Sequence, residues 1–143
     1  MYFQQLKTEL DFFVGITAVP NFQVLLGSPA KFPWNYTGTV TSANWFDTDG
    51  TKVMMKYETN AASKESGYDD LIDFIKGDKS MGMTIRETAA DDTGDYKVEI
   101  TFTDADTDKT LSETTKLTVI TSEYLINSYI LCNNYLIIYM QTL

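Results

Sequence analysis

Turn signals interrupt the chain every 8 to 12 residues from Gly15 to Ile120: "VPN", "LGSP", "NYTGT", "DTDG", "KESGYDD", "KGDK", "ADDTGD" and "TDADTD". Between them lie short runs rich in Val, Ile, Phe and Thr, either alternating with polar residues or continuously apolar. A run of that length is too short for a helix to bury a face, but it suits a strand. Strands at such regular spacing predict an all-β sandwich or barrel. The clearest hairpin is "WFDTDGTKV", where Gly50 supplies the positive φ that a tight antiparallel connection needs. Trp45 and Phe46 precede that turn and Val53 follows it.

The 143 residues are enough for one domain with its own core. With 11 basic and 20 acidic residues the formal charge is -9, which repels phosphate backbones, so no nucleic-acid partner is expected. There is no histidine and one cysteine, Cys132. That count rules out a Ser/His/Asp or Cys/His centre, the usual zinc ligand sets and an internal disulfide. Asp104, Asp106 and Asp108 repeat the first half of a calcium loop, but Lys109 and Thr115 stand where that loop needs glycine and a bidentate glutamate. The stretch therefore reads as a solvated hairpin tip. Asp47 and Asp49 belong to a turn at the other end, and neither a metal nor a cofactor is expected.

The segment "MTIRETAADDTGDYKVEITF" carries Asp92, Gly94 and Tyr96 in the pattern Asp-x-Gly-x-Tyr. It resembles the E strand, E-F turn and F strand of the immunoglobulin superfamily, where this pattern makes a tyrosine corner. Gly94 would permit the bend, Tyr96 would bury its ring and bond its hydroxyl to backbone upstream, and Asp92 would accept amide bonds in the turn. Trp45 in "SANWFD" is similar to the core tryptophan of strand C, and "SPAKFPWNYTG" to strand B. Trp34 and Val98 stand where the family has its two bridging cysteines, 11 residues before and 53 after Trp45. The resemblance covers about residues 14 to 121, leaving an amino-terminal extension over 1–13 and a tail over 122–143.

The resemblance implies an all-β, immunoglobulin-like Greek-key sandwich of the V-type without its inter-sheet disulfide. Losing such a bridge costs about 2 to 5 kcal/mol. A buried aromatic hides roughly 150 to 250 Å², worth at most about 4 to 6 kcal/mol, so Trp34 against Trp45 and Val98 can offset it. Phe32, Met83, Ile85, Ile100, Leu117 and Val119 are expected around Trp34, Trp45, Tyr96 and Val98. Between a C′ strand (Lys52 to Glu58) and a D strand near Leu71, "TNAASKESGYDD" leaves room for a C″ edge.

Disulfide-free domains of this kind occur in the SLAM-like and carcinoembryonic-antigen-like adhesion receptors and in I-set modules of giant muscle proteins. The full G strand and the C″ allowance favour the first. Such a domain is not an enzyme; it binds a protein ligand, a second copy of itself included, at the cell surface or as a secreted chain. The alternative is a structural spacer in an intracellular elastic array. Strand parity places Lys97, Glu99 and Thr101 on the outer face of the G-F-C-C′ sheet, with Phe46 on C and Met54, Lys56 and Glu58 on C′. Phe46 and Met54 would form a small apolar centre ringed by charge. Asn35 opens the sequon Asn35-Tyr36-Thr37 and, following an inward Trp34, should point out for glycosylation.

No secretory signal is visible in "MYFQQLKTELDFFVG", since Lys7, Glu9 and Asp11 break it, and the chain reads as a fragment or incomplete gene product. From Tyr124 on, the tail is uncharged and contacts a membrane only if it is a genuine anchor. Its 20 residues are long enough, but Asn127, Ser128, Asn133, Asn134 and Gln141 interrupt them and no basic flank follows. A packed edge helix or read-through of AT-rich sequence are the other readings.

Overall fold

The computed structural model describes residues 14–17, 19–103 and 107–123. The amino-terminal extension, the acidic 104–106 stretch, Cys132 and the tail from 124 on lie outside the described residues, as do the expectations attached to them. Ten strands follow in order: β1 Gly15–Thr17, β2 Phe22–Leu25, β3 Ala30–Thr37, β4 Thr39–Phe46, β5 Val53–Glu58, β6 Ala61–Lys64, β7 Ile72–Lys76, β8 Ser80–Ile85, β9 Gly94–Thr103 and β10 Lys109–Ile120. They form a four-stranded sheet, β1-β3-β8-β7, and a six-stranded sheet, β2-β10-β9-β4-β5-β6. Only the β2–β10 pairing is parallel among the described residues. This is an immunoglobulin-like sandwich, with β3, β4, β8 and β9 in the B, C, E and F positions and with β5 and β6 extending the second sheet beyond β4.

Alternation along β3 puts Ala30, Phe32 and Trp34 inside and Lys31, Pro33 and Asn35 outside. On β9 it buries Tyr96, Val98, Ile100 and Phe102. Trp34, Trp45, Tyr96 and Val98 join one core with Phe32, Met83, Ile85, Ile100 and Leu117, while Val119 packs on it half-buried. Aromatic contacts join the sheets: Phe32 meets Tyr96 at 4.8 Å between ring centroids, and Trp45 meets Phe74 at 5.8 Å. Phe32 also stacks on Trp34 at 5.5 Å. Trp34 and Val98, the two residues at the bridge positions, are both fully buried. The filling is imperfect in one respect, because the indole N–H groups of Trp34 and Trp45 are buried without an acceptor.

The corner forms as the sequence implies. Tyr96 Oη donates to the Asp92 carbonyl at 2.9 Å, and Asp92 Oδ2 accepts the Ala89 N–H at 2.7 Å. Burial, with Asp92 close by, pushes the Tyr96 phenol far above its usual range. The reason for glycine at 94 is different from the expected bend: a Cβ there would lie 2.6 Å from Thr48 Cβ and Cγ2. Gly94 thus lets the β4–β5 loop lie against the β8–β9 turn. That loop, Asp47 to Lys52, is wider than a two-residue hairpin, and Gly50 takes its positive φ of 65° within it.

At the opposite end two connections are minimal. β3 passes into β4 across Gly38 alone, at φ 108°, crossing from one sheet to the other. β5 turns into β6 through Thr59 and Asn60, with φ of 50° and 64°, a two-residue turn made without glycine.

Candidate interaction face

The outer surface of the six-stranded sheet is organised in rows set by register. One row runs Ser112, Glu99, Asn44, Lys56, Ser63 across β10, β9, β4, β5 and β6. The next runs Thr110, Thr101, Ser42, Glu58, Ala61. A third runs Thr114, Lys97, Phe46, Val53. Residues directly opposite share a face, so Phe46, Lys56, Glu58, Lys97, Glu99 and Thr101 do come together on one surface.

Met54 does not join them. The register passes from Trp45–Met55 to Phe46–Val53, so β5 carries one extra residue, a bulge, at Met54. The slip turns Met54 inward, where it is 4% exposed and lines a small cleft of about 60 Å³ with Tyr68, Leu71, Ile72 and Ile85. It also brings Val53, expected inside, opposite Phe46. The apolar pair on the face is therefore Phe46 and Val53, both half-buried. Nothing in a strict alternation of β5 signals this; two adjacent methionines are compatible with either parity.

Three of the four charges expected on the face, Lys56, Lys97 and Glu99, are already paired. Lys97 Nζ lies 4.2 Å from the Phe46 ring centroid and 2.9 Å from Glu99 Oε1. Lys56 Nζ bonds Glu65 Oε1 at 2.9 Å, and that hydrogen bond, then the carboxylate charge, raises the lysine above its usual pKa. Thr101 and Thr110 share a hydroxyl hydrogen bond of 2.9 Å. Glu65 and Asn44 were not anticipated, since one lies past β6 and the other is an uncharged residue between Ala43 and Trp45. Asn35 is exposed on the outer face of the other sheet, between Thr17 of β1 and Ser80 of β8. Among the described residues no group of three or more Asp, Glu, His or Cys side chains is arranged to hold a metal ion, and no helix is long and apolar enough to cross a membrane.

No known protein-family pattern matches the chain, and no characterised protein matches it by sequence. Solved structures do match. The titin domains Z1Z2 in complex with telethonin align with a TM-score of 0.57 at 19% identity over 76% of this chain, which spans 48% of that one. A chimeric titin Z1Z2 carrying a peptide from decorin gives 0.55 at 19% identity, over 76% of this chain and 95% of that one. Human T-cell immunoglobulin and mucin domain protein 1 gives 0.56 at 17% identity, over 72% and 99%. At these identities the likeness is one of fold, and it includes both a titin domain and a T-cell immunoglobulin and mucin protein.

Proposed function

We propose that this chain is a non-catalytic V-type recognition domain, exposed outside the cell, that binds a protein partner through the β10-β9-β4-β5 face. The observation that carries the reading is the contrast between that face and two of the connections at its end. A single glycine joins β3 to β4 and two residues join β5 to β6, so those connections offer no loop surface for a ligand. The face, in contrast, presents Phe46 and Val53 inside a ring of Lys56, Glu58, Lys97 and Glu99. A small apolar centre with mixed charges around it suits a weak and selective contact, in which charge sets register and encounter rate more than affinity. The partner class is a protein of complementary mixed charge, and a second copy satisfies that condition.

Asn35 supports the extracellular placement, because it is exposed on the sheet opposite the proposed binding face and a glycan there would leave that face clear. The rival reading, a spacer in an intracellular array, shares the fold but needs neither feature. The test is to express the full chain at a cell surface and score adhesion to cells bearing the same chain and to a panel of receptor-expressing cells. Adhesion lost in the Phe46→Ala, Lys97→Glu double variant supports the reading; adhesion unchanged by it places the contact elsewhere.

A further inference from the structure

We infer that β6 is a self-pairing edge: two copies of the chain join side by side, β6 to β6 in antiparallel, into one continuous sheet. Glu65 N–H donates to the Met54 carbonyl at 2.9 Å, which fixes the parity of the β5–β6 ladder. Residues 61 and 63 and the N–H of 65 turn toward β5, so the N–H and C=O of Ala62 and Lys64 point away from it. Among the described residues no backbone group bonds to them. An exposed edge of this kind is normally defended by a proline, a bulge, an inward charge or a lysine held over it.

β6 has neither a proline nor a bulge, and its one inward charge is already neutralised. Its sequence is Ala-Ala-Ser-Lys, and its one charged side chain is withdrawn. Lys64 Nζ reaches across to the other sheet, donating to the Asp69 carbonyl at 2.7 Å and lying 3.5 Å from Asp73 Oδ1. Of the other edges, β2 is uncharged as well, while the rest are guarded. The length of β10 that β2 leaves uncovered turns Glu113 to the inner face, and β7 carries Asp73 and Lys76. β1 is only three residues long.

The occupant that fits is a second copy, because the strand is self-complementary. With Ser63 on the two-fold axis, Ala62 of each copy faces Lys64 of the other, and each such pair exchanges two N–H···O=C bonds. The side chains meeting at the seam are serine on serine, and Ala61 meets Glu65 of the second copy, so no like charges stand directly opposite. A seam this short makes a weak contact on its own, of the kind that forms when copies are concentrated on a surface. It leaves the Phe46 face open and does not depend on that face being the binding site.

The two-fold places the Ser63 Cα atoms about 4.5 Å apart as a non-hydrogen-bonded pair, within disulfide range. The test uses the full chain with Cys132→Ser, carrying either Ser63→Cys or, as an exposed control on β10, Ser112→Cys. Under mild oxidation at high protein concentration, covalent dimer should form about tenfold faster at 63 than at 112. Adding Ala62→Pro removes only an edge N–H, so the melting temperature should hold while cross-linking at 63 falls to the control rate. Equal rates at 63 and 112 overturn the proposal, as does cross-linking at 63 that survives Ala62→Pro. Dimerisation abolished by Phe46→Ala but not by Ala62→Pro assigns self-association to the face instead.

Discussion

The ammonium of Lys97 sits 4.2 Å from the centre of the Phe46 ring. Because Glu99 also holds that ammonium, the ring is partly roofed by a side chain that a partner would have to displace or use. Phe46→Ala should therefore reduce partner binding more than any single charge change on the face, and added salt should weaken binding in the parent protein. Surface plasmon resonance at two ionic strengths checks both. Salt-independent binding, or a charge variant more damaging than Phe46→Ala, would contradict the proposed centre.

Trp34→Ala should cost about 3 to 5 kcal/mol in urea unfolding, the usual loss for a truncated core aromatic. Trp34→Phe should cost clearly less, since it keeps most of the ring while removing an indole N–H that has no acceptor. If the two variants are equally destabilised, the orphaned donor has no energetic weight. Reducing agent should leave the melting temperature of the monomer unchanged, because Cys132 has no second thiol in the chain to pair with.

Gly94→Ala should destabilise the domain, since the added methyl meets Thr48 at 2.6 Å. Thr48→Gly should restore part of that loss, and a double-mutant cycle by thermal unfolding measures the coupling. Independent, additive effects would mean that glycine is needed for some other reason.

Thr59 is a β-branched residue at φ 50°, a left-handed conformation that disfavours it. Thr59→Gly should raise stability by about 1 kcal/mol. A loss on that substitution would show that the threonine side chain holds the β5–β6 turn.

Arg86 grips Asp73 with two hydrogen bonds of 2.8 and 2.7 Å. Those bonds first, and then the charges of Arg86 and Lys64, lower the Asp73 carboxyl from 3.8 to about 2. A folded value below the unfolded one favours the folded state fully above pH 3.8, and the benefit disappears as pH falls toward 2. The pair is exposed, so the effect is small and screened by salt. Asp73→Asn should flatten the acid limb of the stability curve in that window; parallel curves for parent and variant would assign the limb to other carboxylates.

Expressed through a secretory pathway, the chain should carry a glycan that is removed by a peptide N-glycosidase and absent in Asn35→Gln. Identical gel mobility of parent and variant would remove the main local support for an extracellular domain.

The fold was legible because its determinants are local and repeated. Turn residues at short intervals, alternation along Ala30 to Thr37 and Tyr96 to Phe102, and the Asp92, Gly94, Tyr96 corner each act within a few residues of chain. From those a sandwich follows, and the resemblance to the immunoglobulin pattern adds that Trp34 and Val98 are buried where a bridge is expected. The role of Gly94 did not follow, since its constraint comes from Thr48, far away in sequence. The composition of the proposed face was visible at all but one position. Six of its seven expected residues, among them Phe46 and Lys97, fall where parity puts them, but one bulge exchanges Met54 for Val53. Alternation fixes faces only while register is unbroken, and register is decided by how β5 docks on β4 and over the cleft beneath Leu71 and Ile85. The neutralised inward charge of β6 belongs to the same class. That Lys64 is a lysine is written in the sequence, but that its ammonium turns to Asp73 and away from the strand edge depends on the second sheet lying within reach.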